Sequence, residues 1–145
     1  MNAITFIKQH GVEKAREVVE GAPEGAELFS TSTYIKNAHS EGQKDFFAQW
    51  SEVVLGWINA SADRDFIDEA IKLSDLKRLV ESVGLVGKVG GISQAKAQVK
   101  QAHEHGYQTM STPVEINGSM GMGCLYIDTL EKAIANYEAI GGEHV

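Results

Sequence analysis

One spacing of residues occurs twice in this chain. Lys8-x-x-Gly11-Val12-x-x-Ala15-Arg16-x-x-Val19-x-x-Ala22-x-Glu24 returns as Lys88-x-x-Gly91-Ile92-x-x-Ala95-Lys96-x-x-Val99-x-x-Ala102-x-Glu104. Only Val/Ile and Arg/Lys are exchanged. Glycine tolerates the positive backbone dihedral that ends one helical turn. The apolar residues after it recur at i, i+3, i+7 and i+10, which is one stripe of a new helix. The template therefore predicts two helices that start just after Gly11 and Gly91. They should bury Val12, Ala15, Val19 and Ile92, Ala95, Val99. This constrains architecture and carries no chemistry.

The rest of the chain alternates between helical and strand character. Residues 3 to 21 carry helical spacing, with Ile4, Ile7, Gly11, Ala15 and Val18 on one face and Gly11 as a break point. Gly21-Ala-Pro23-Glu-Gly25 stops that run. From Ala26 to Asn59 β-branched and aromatic residues dominate, which predicts a small antiparallel meander. Helix competes over Asp45 to Ile58, because Phe46, Trp50, Val53 and Trp57 also fit helical spacing. Ile71-Lys-Leu73 reads as a short strand, and Ser74 caps a helix running to Val83. Gly84, Gly87, Gly90 and Gly91 punctuate the next stretch. A helix from Ser93 to His105 comes next, with Ser93 as its cap. Thr112 to Ile116 and Cys124 to Ile127 read as strands joined by a long Asn117–Gly123 loop. Asp128 caps a last helix, and Glu131 completes a capping box. The expected class is α+β, with small antiparallel sheets packed on about four helices. Residues 1–145 form one domain with an internal helical repeat around 8–24 and 88–104.

A chain of 145 residues buries about two-thirds of its unfolded surface and needs no metal or disulfide to hold it. Its one cysteine, Cys124, suits a reducing cytoplasm. There is no signal-peptide pattern and no apolar run of membrane-spanning length. The expected location is the host cytoplasm, away from membranes. Net charge is −7, but unevenly spread. Residues 77–100 carry Lys77, Arg78, Lys88, Lys96 and Lys100 against Glu81, while the flanking stretches are acidic. Nucleic acid is a poor partner for such a balance.

Motifs with chemical meaning are sparse. Gly118-x-x-Gly121-x-Gly123 invites a phosphate-loop reading. However, a strand-like Cys-Leu-Tyr-Ile separates it from the next helix, and that helix opens with the carboxylate of Asp128. His103 and His105 diverge on a helix, whereas helical metal ligands sit i and i+4 apart. Asp63-x-Asp65-x-x-Asp68-Glu69 lacks the glycine and terminal glutamate of a calcium loop. No nucleophile motif, metal set or cofactor signature is identified, so the expected cofactor list is empty and catalysis is not favoured. Two binding readings stand. In the first, Asp63, Asp65 and Asp68 with Trp57 as anchor meet a protein partner. In the second, Lys88 and Lys96 with Gly118, Gly121 and Gly123 hold the phosphate of a nucleotide signal.

Residues Phe6-Ile-Lys-Gln-His-Gly-Val-Glu-Lys-Ala-Arg-Glu-Val-Val-Glu-Gly-Ala-Pro-Glu-Gly-Ala, Leu73-Ser-Asp-Leu-Lys-Arg-Leu-Val-Glu-Ser and Leu130-Glu-Lys-Ala-Ile-Ala-Asn-Tyr-Glu resemble those of small accessory proteins from lambda-like phages and prophages. With a Trp- and Tyr-containing sheet after the first segment and a Gly-Gly helix after the second, similarly placed in those proteins, the resemblance covers about half of the chain and carries no catalytic residues. It implies an early-expressed, nonessential protein that modifies host or rival-phage processes. The expectation is an accessory protein that binds a host or phage protein, in DNA metabolism or antiviral defence. The alternative is a small-molecule binder that sequesters a nucleotide signal, and the third is an enzyme of unidentified type.

Overall fold

The computed structural model describes residues 2–30, 33–37, 47–59 and 69–141. The chain divides into two compact units, Met1–Arg78 and Leu79–Val145. Among the described residues there are five helices and two antiparallel sheets, an α+β fold. The first helical stretch breaks at Gly11, the expected break point, which brings the expected four helices to five.

The first unit opens with α1 (Ala3–His10), capped by the Asn2 side chain, which accepts the Thr5 N–H at 2.8 Å. Gly11 then takes φ +87 and ψ 163, a region open essentially to glycine alone, and α2 (Val12–Glu20) begins at once. Val12, Ala15 and Val18 are buried, and Val19 is only half-buried. The stripe thus closes on Val18, which also belongs to the helical face of residues 3 to 21, and the Tyr34 hydroxyl donates to the Val18 carbonyl at 2.6 Å. Phe6 meets Phe29, and Phe29 meets Tyr34, as tilted or edge-on rings.

The sheet of this unit holds β1 (Leu28–Ser30), β2 (Thr33–Asn37), β3 (Phe47–Ser51), β4 (Gly56–Asn59) and β5 (Ile71–Lys72). The spatial order is β4-β3-β2-β1-β5, antiparallel throughout. Strand thus wins over helix for the described part of residues 45–58, since Trp50 and Trp57 pair across the ladder rather than along a helix. β5 runs straight into α3 (Leu73–Lys88), whose first N–H is taken by the Glu27 carbonyl at 3.0 Å. Ser74 therefore lies inside the first turn and is not the cap. The helix also runs past Val83, through Gly84 and Gly87. Each glycine costs about 1 kcal/mol relative to alanine in a helix. Burial of Val83 and Val86 on the same helix offsets that cost.

The second unit repeats the glycine device. Gly91 takes φ +105 and ψ 177, and α4 (Ile92–His105) follows it directly, so Ser93 is not the cap. Ala95 is fully buried, while Ile92 and Val99 are half-buried against a core of Val86, Ala95, Leu125, Leu130 and Ala133. α4 ends at Gly106, where Tyr107 and Gly106 donate back to the Ala102 and His103 carbonyls. β6 (Thr109–Ile116) and β7 (Ser119–Tyr126) form a two-stranded ribbon. The long loop expected over Asn117–Gly123 is absent. Asn117 and Gly118, both with positive φ, close a two-residue hairpin turn, and Gly121 and Gly123 lie in the ladder opposite Val114 and Thr112. Glycine and methionine carry little strand signal of their own, and the pairing with β6 supplies it. α5 (Ile127–Ile140) follows β7 without a gap. Its first N–H goes to the Gln108 carbonyl at 2.9 Å, and no side chain caps it. Asp128 is not the expected cap. It sits in the first turn and pairs with Lys132 at 3.1 Å.

Both units therefore show the same order of devices. A glycine with positive φ starts a helix, and a strand comes after it. The residue before that strand, Glu27 or Gln108, then accepts the first N–H of the helix that continues the antiparallel partner strand. They differ in what joins the paired strands: residues 31–70 with β2, β3 and β4 in one, a two-residue turn in the other.

Candidate functional site

Large apolar side chains exposed to solvent are confined to two stretches of the described chain. Val53, Val54, Leu55 and Ile58 lie in the first, and Tyr107, Met120, Met122 and Tyr126 in the second. The first is the β3–β4 turn, with Ile58 of β4 beside it. Val53 is 93% exposed and Leu55 71%. Leu55 also holds φ +50, a left-handed state that costs a branched, non-glycine residue free energy. The Val54 N–H reaches the Ser51 hydroxyl at 3.4 Å, a long and weak contact. At the base of this turn Trp50 and Trp57 meet edge-on at 5.5 Å, and the Lys36 ammonium lies 4.7 Å from the Trp57 ring centre. Trp57, expected as an exposed anchor, is half-buried and already supports a cation. Burial and the neighbouring Glu52 carboxylate raise the pKa of Tyr34, on β2, above its usual value.

The second stretch borders a cleft of about 410 Å³ in the second unit. α4 contributes Ala102 and His103, the segment before β6 gives Tyr107, and the β7–α5 junction gives Tyr126, Asp128 and Glu131. His103 Nε2 is in hydrogen-bonding contact with Glu131 Oε1. His105 packs its ring against Tyr107 at 5.8 Å instead of joining His103. The helical histidines do diverge, and a glutamate from another helix meets the first of them. Among the described residues no three histidine, cysteine or carboxylate side chains gather as a metal set.

The nucleotide reading gathers less support from the geometry. Lys96 is ion-paired with Glu138 across α4 and α5. Lys88 ends α3. Gly118, Gly121 and Gly123 belong to a ribbon whose amides serve the ladder or the turn rather than converging on an anion. Asp63, Asp65 and Asp68 lie outside the described residues. Sequence reasoning placed Val53, Val54 and Leu55 within the sheet and passed over Tyr107 and Tyr126. One signal was available: three large apolar residues stand between Glu52 and Gly56, where a turn has to form. Among the described residues, no helix is long and apolar enough to cross a membrane. Compared with protein families, with curated proteins and with solved structures, the chain matches none.

Proposed function

We propose that this chain is a phage or prophage accessory protein that acts by binding a host protein in the host cytoplasm. The observation that carries the binding reading is the apolar turn Val53-Val54-Leu55. Among the described residues of the first unit nothing requires it, because a polar turn would close the same β3–β4 pair. Leaving it exposed forgoes burial on the order of 1.5–3 kcal/mol per side chain. A partner's surface recovers that energy, as apolar surface does when it is buried at a protein–protein contact. The resemblance of residues 6–26, 73–82 and 130–138 to phage accessory proteins supports the context. The net charge of −7 favours a partner with a basic face, such as a nucleic-acid-binding groove. Lys96 already holds Glu138, which favours a protein partner over a nucleotide.

The test is affinity capture from host lysate with the native chain and with a Val53→Lys, Val54→Lys double variant. Stability should stay within about 0.5 kcal/mol, as for other exposed sites. A specific host protein should be retained by the native chain and lost from the variant. A second variant, with Asp63, Asp65 and Asp68 all changed to Asn, should slow association and reduce its salt dependence. Equal capture by the native chain and the lysine variant removes the turn from the interface. A nucleotide bound at micromolar strength and lost with Lys88→Ala and Lys96→Ala replaces this reading with the sequestration one.

A further inference from the structure

We propose that the cleft between the end of α4 and the start of α5 binds an organic cation, an alkylammonium or guanidinium group. It is lined by Tyr107 and Tyr126, each 63% exposed, and by the buried apolar pair Ala102 and Ile127. Two carboxylates line it, Asp128 and Glu131; no lysine or arginine is part of the lining, although the Lys132 ammonium meets Asp128 at 3.1 Å. The one basic lining group, His103, is engaged by Glu131. Aromatic rings beside carboxylates and apolar side chains attract a soft cation through ring quadrupole and charge together. The C-terminal carbonyls of α4 add negative potential on one side. The N-terminus of α5 would favour an anion, but Asp128 in its first turn already meets that positive end. With Lys132 on Asp128 and His103 on Glu131, two carboxylates still stand against one ammonium, which favours a cation.

The first unit supplies an internal control. It has the same strand-to-helix junction, with the first helical N–H bonded to the residue before the partner strand. Counting from Leu73 as from Ile127, it carries Lys72, Ser74 and Lys77 where the second unit carries Tyr126, Asp128 and Glu131. The junction therefore folds without a ring or a carboxylate at these places. Their presence in the second unit is not a requirement of the backbone. The inference is independent of the β3–β4 turn: a cation binds here whether or not that turn docks a partner.

The experiment is an amide NMR titration of the full chain with choline, and in parallel with 3,3-dimethylbutanol, its uncharged isostere. Choline should give saturable shifts confined to residues 102–108 and 126–131, with a dissociation constant on the order of millimolar. The alcohol should bind about tenfold more weakly, since it lacks the charge that the rings and carboxylates recognise. Tyr126→Leu and Glu131→Gln should each weaken choline about threefold or more, with their own spectra reporting the fold. A blocked Gly-Gly-Arg-Gly-Gly peptide that binds as well as choline assigns the cation to a partner's side chain. A peptide that binds tenfold more weakly assigns it to a free amine. Equal binding of choline and the alcohol, saturable binding of inorganic phosphate at the same residues, or no saturation by choline would each overturn the proposal.

Discussion

The two compact units solve the same local problem and differ in what they hang on the solution. In both, a glycine breaks the chain into a helix, and two antiparallel strands pair before the second runs directly into another helix. In the second unit the paired strands are closed by Asn117-Gly118, a turn whose chemistry matches its dihedrals. In the first, the strands are separated by β2, β3 and β4, and the β3–β4 turn breaks two local rules at once. It exposes three apolar residues, and it holds Leu55 at positive φ. Sequences are locally consistent where only folding is at stake, and departures concentrate at functional positions. The difference separates a frame that both units need from an elaboration that only one carries.

The sharpest test of the common frame is in the helices that continue the strand junctions. Leu76 and Leu130 occupy matching places in α3 and α5, and both are fully buried. Leu76→Ala and Leu130→Ala should each lower stability by about 2–5 kcal/mol in urea denaturation. A small penalty at one and a large one at the other would show that the two junctions are not held alike. The glycines come next. At Gly11 and Gly91 the backbone lies where a side chain is strained although no atom lies within 4 Å of the added Cβ. Alanine at either position should cost about 1–3 kcal/mol from backbone strain alone. Equal midpoints for native and variant chains would contradict this.

The elaboration gives the opposite sign. Leu55→Asn places a residue tolerant of the left-handed region at φ +50 and should raise stability by roughly 0.5–1 kcal/mol. The same change should weaken capture of the partner. A variant that loses both stability and binding would mean that the turn serves the fold. The smallest effect is the pH dependence of Tyr34. Its hydroxyl has a higher pKa folded than unfolded, through burial and then through Glu52 at the β3–β4 turn. The unfolded chain therefore gives up its proton first. Stability is full below the usual tyrosine pKa near 10 and falls as pH rises through the folded value. Tyr34→Phe should remove this alkaline decline and also lose the hydrogen bond to Val18, about 1 kcal/mol.

Much of the frame was legible in the residues because local chemistry sets it. Gly11 and Gly91 announced their helices, the Gly21–Gly25 run its stop, and the aromatic stretch its meander. Reading failed where a distant partner decides. Gly121 and Gly123 looked like loop because a missing side chain says nothing about the strand it will pair with. Gly84 and Gly87 looked like helix ends, yet Val83 and Val86 carry α3 through them. Ser74, Ser93 and Asp128 looked like caps, but a carbonyl of the sheet or a glycine stands at each helix start. The cleft was not legible at all. His103 and Glu131 are 28 residues apart in the chain and meet only when α4 and α5 pack.

The β6–β7 ribbon has a consequence for handling the protein. By strand alternation Met120, Met122 and Cys124 share its outward face, and all three are exposed. Air and peroxide reach these sulfurs before anything in the core. Oxygen added to the thioethers turns a soft apolar strip into a polar, chiral one, and an accessible thiol can link two chains covalently. Two preparations of identical sequence can then present different surfaces according to age. The mass of the intact chain, read before any binding measurement, tells which surface is being measured.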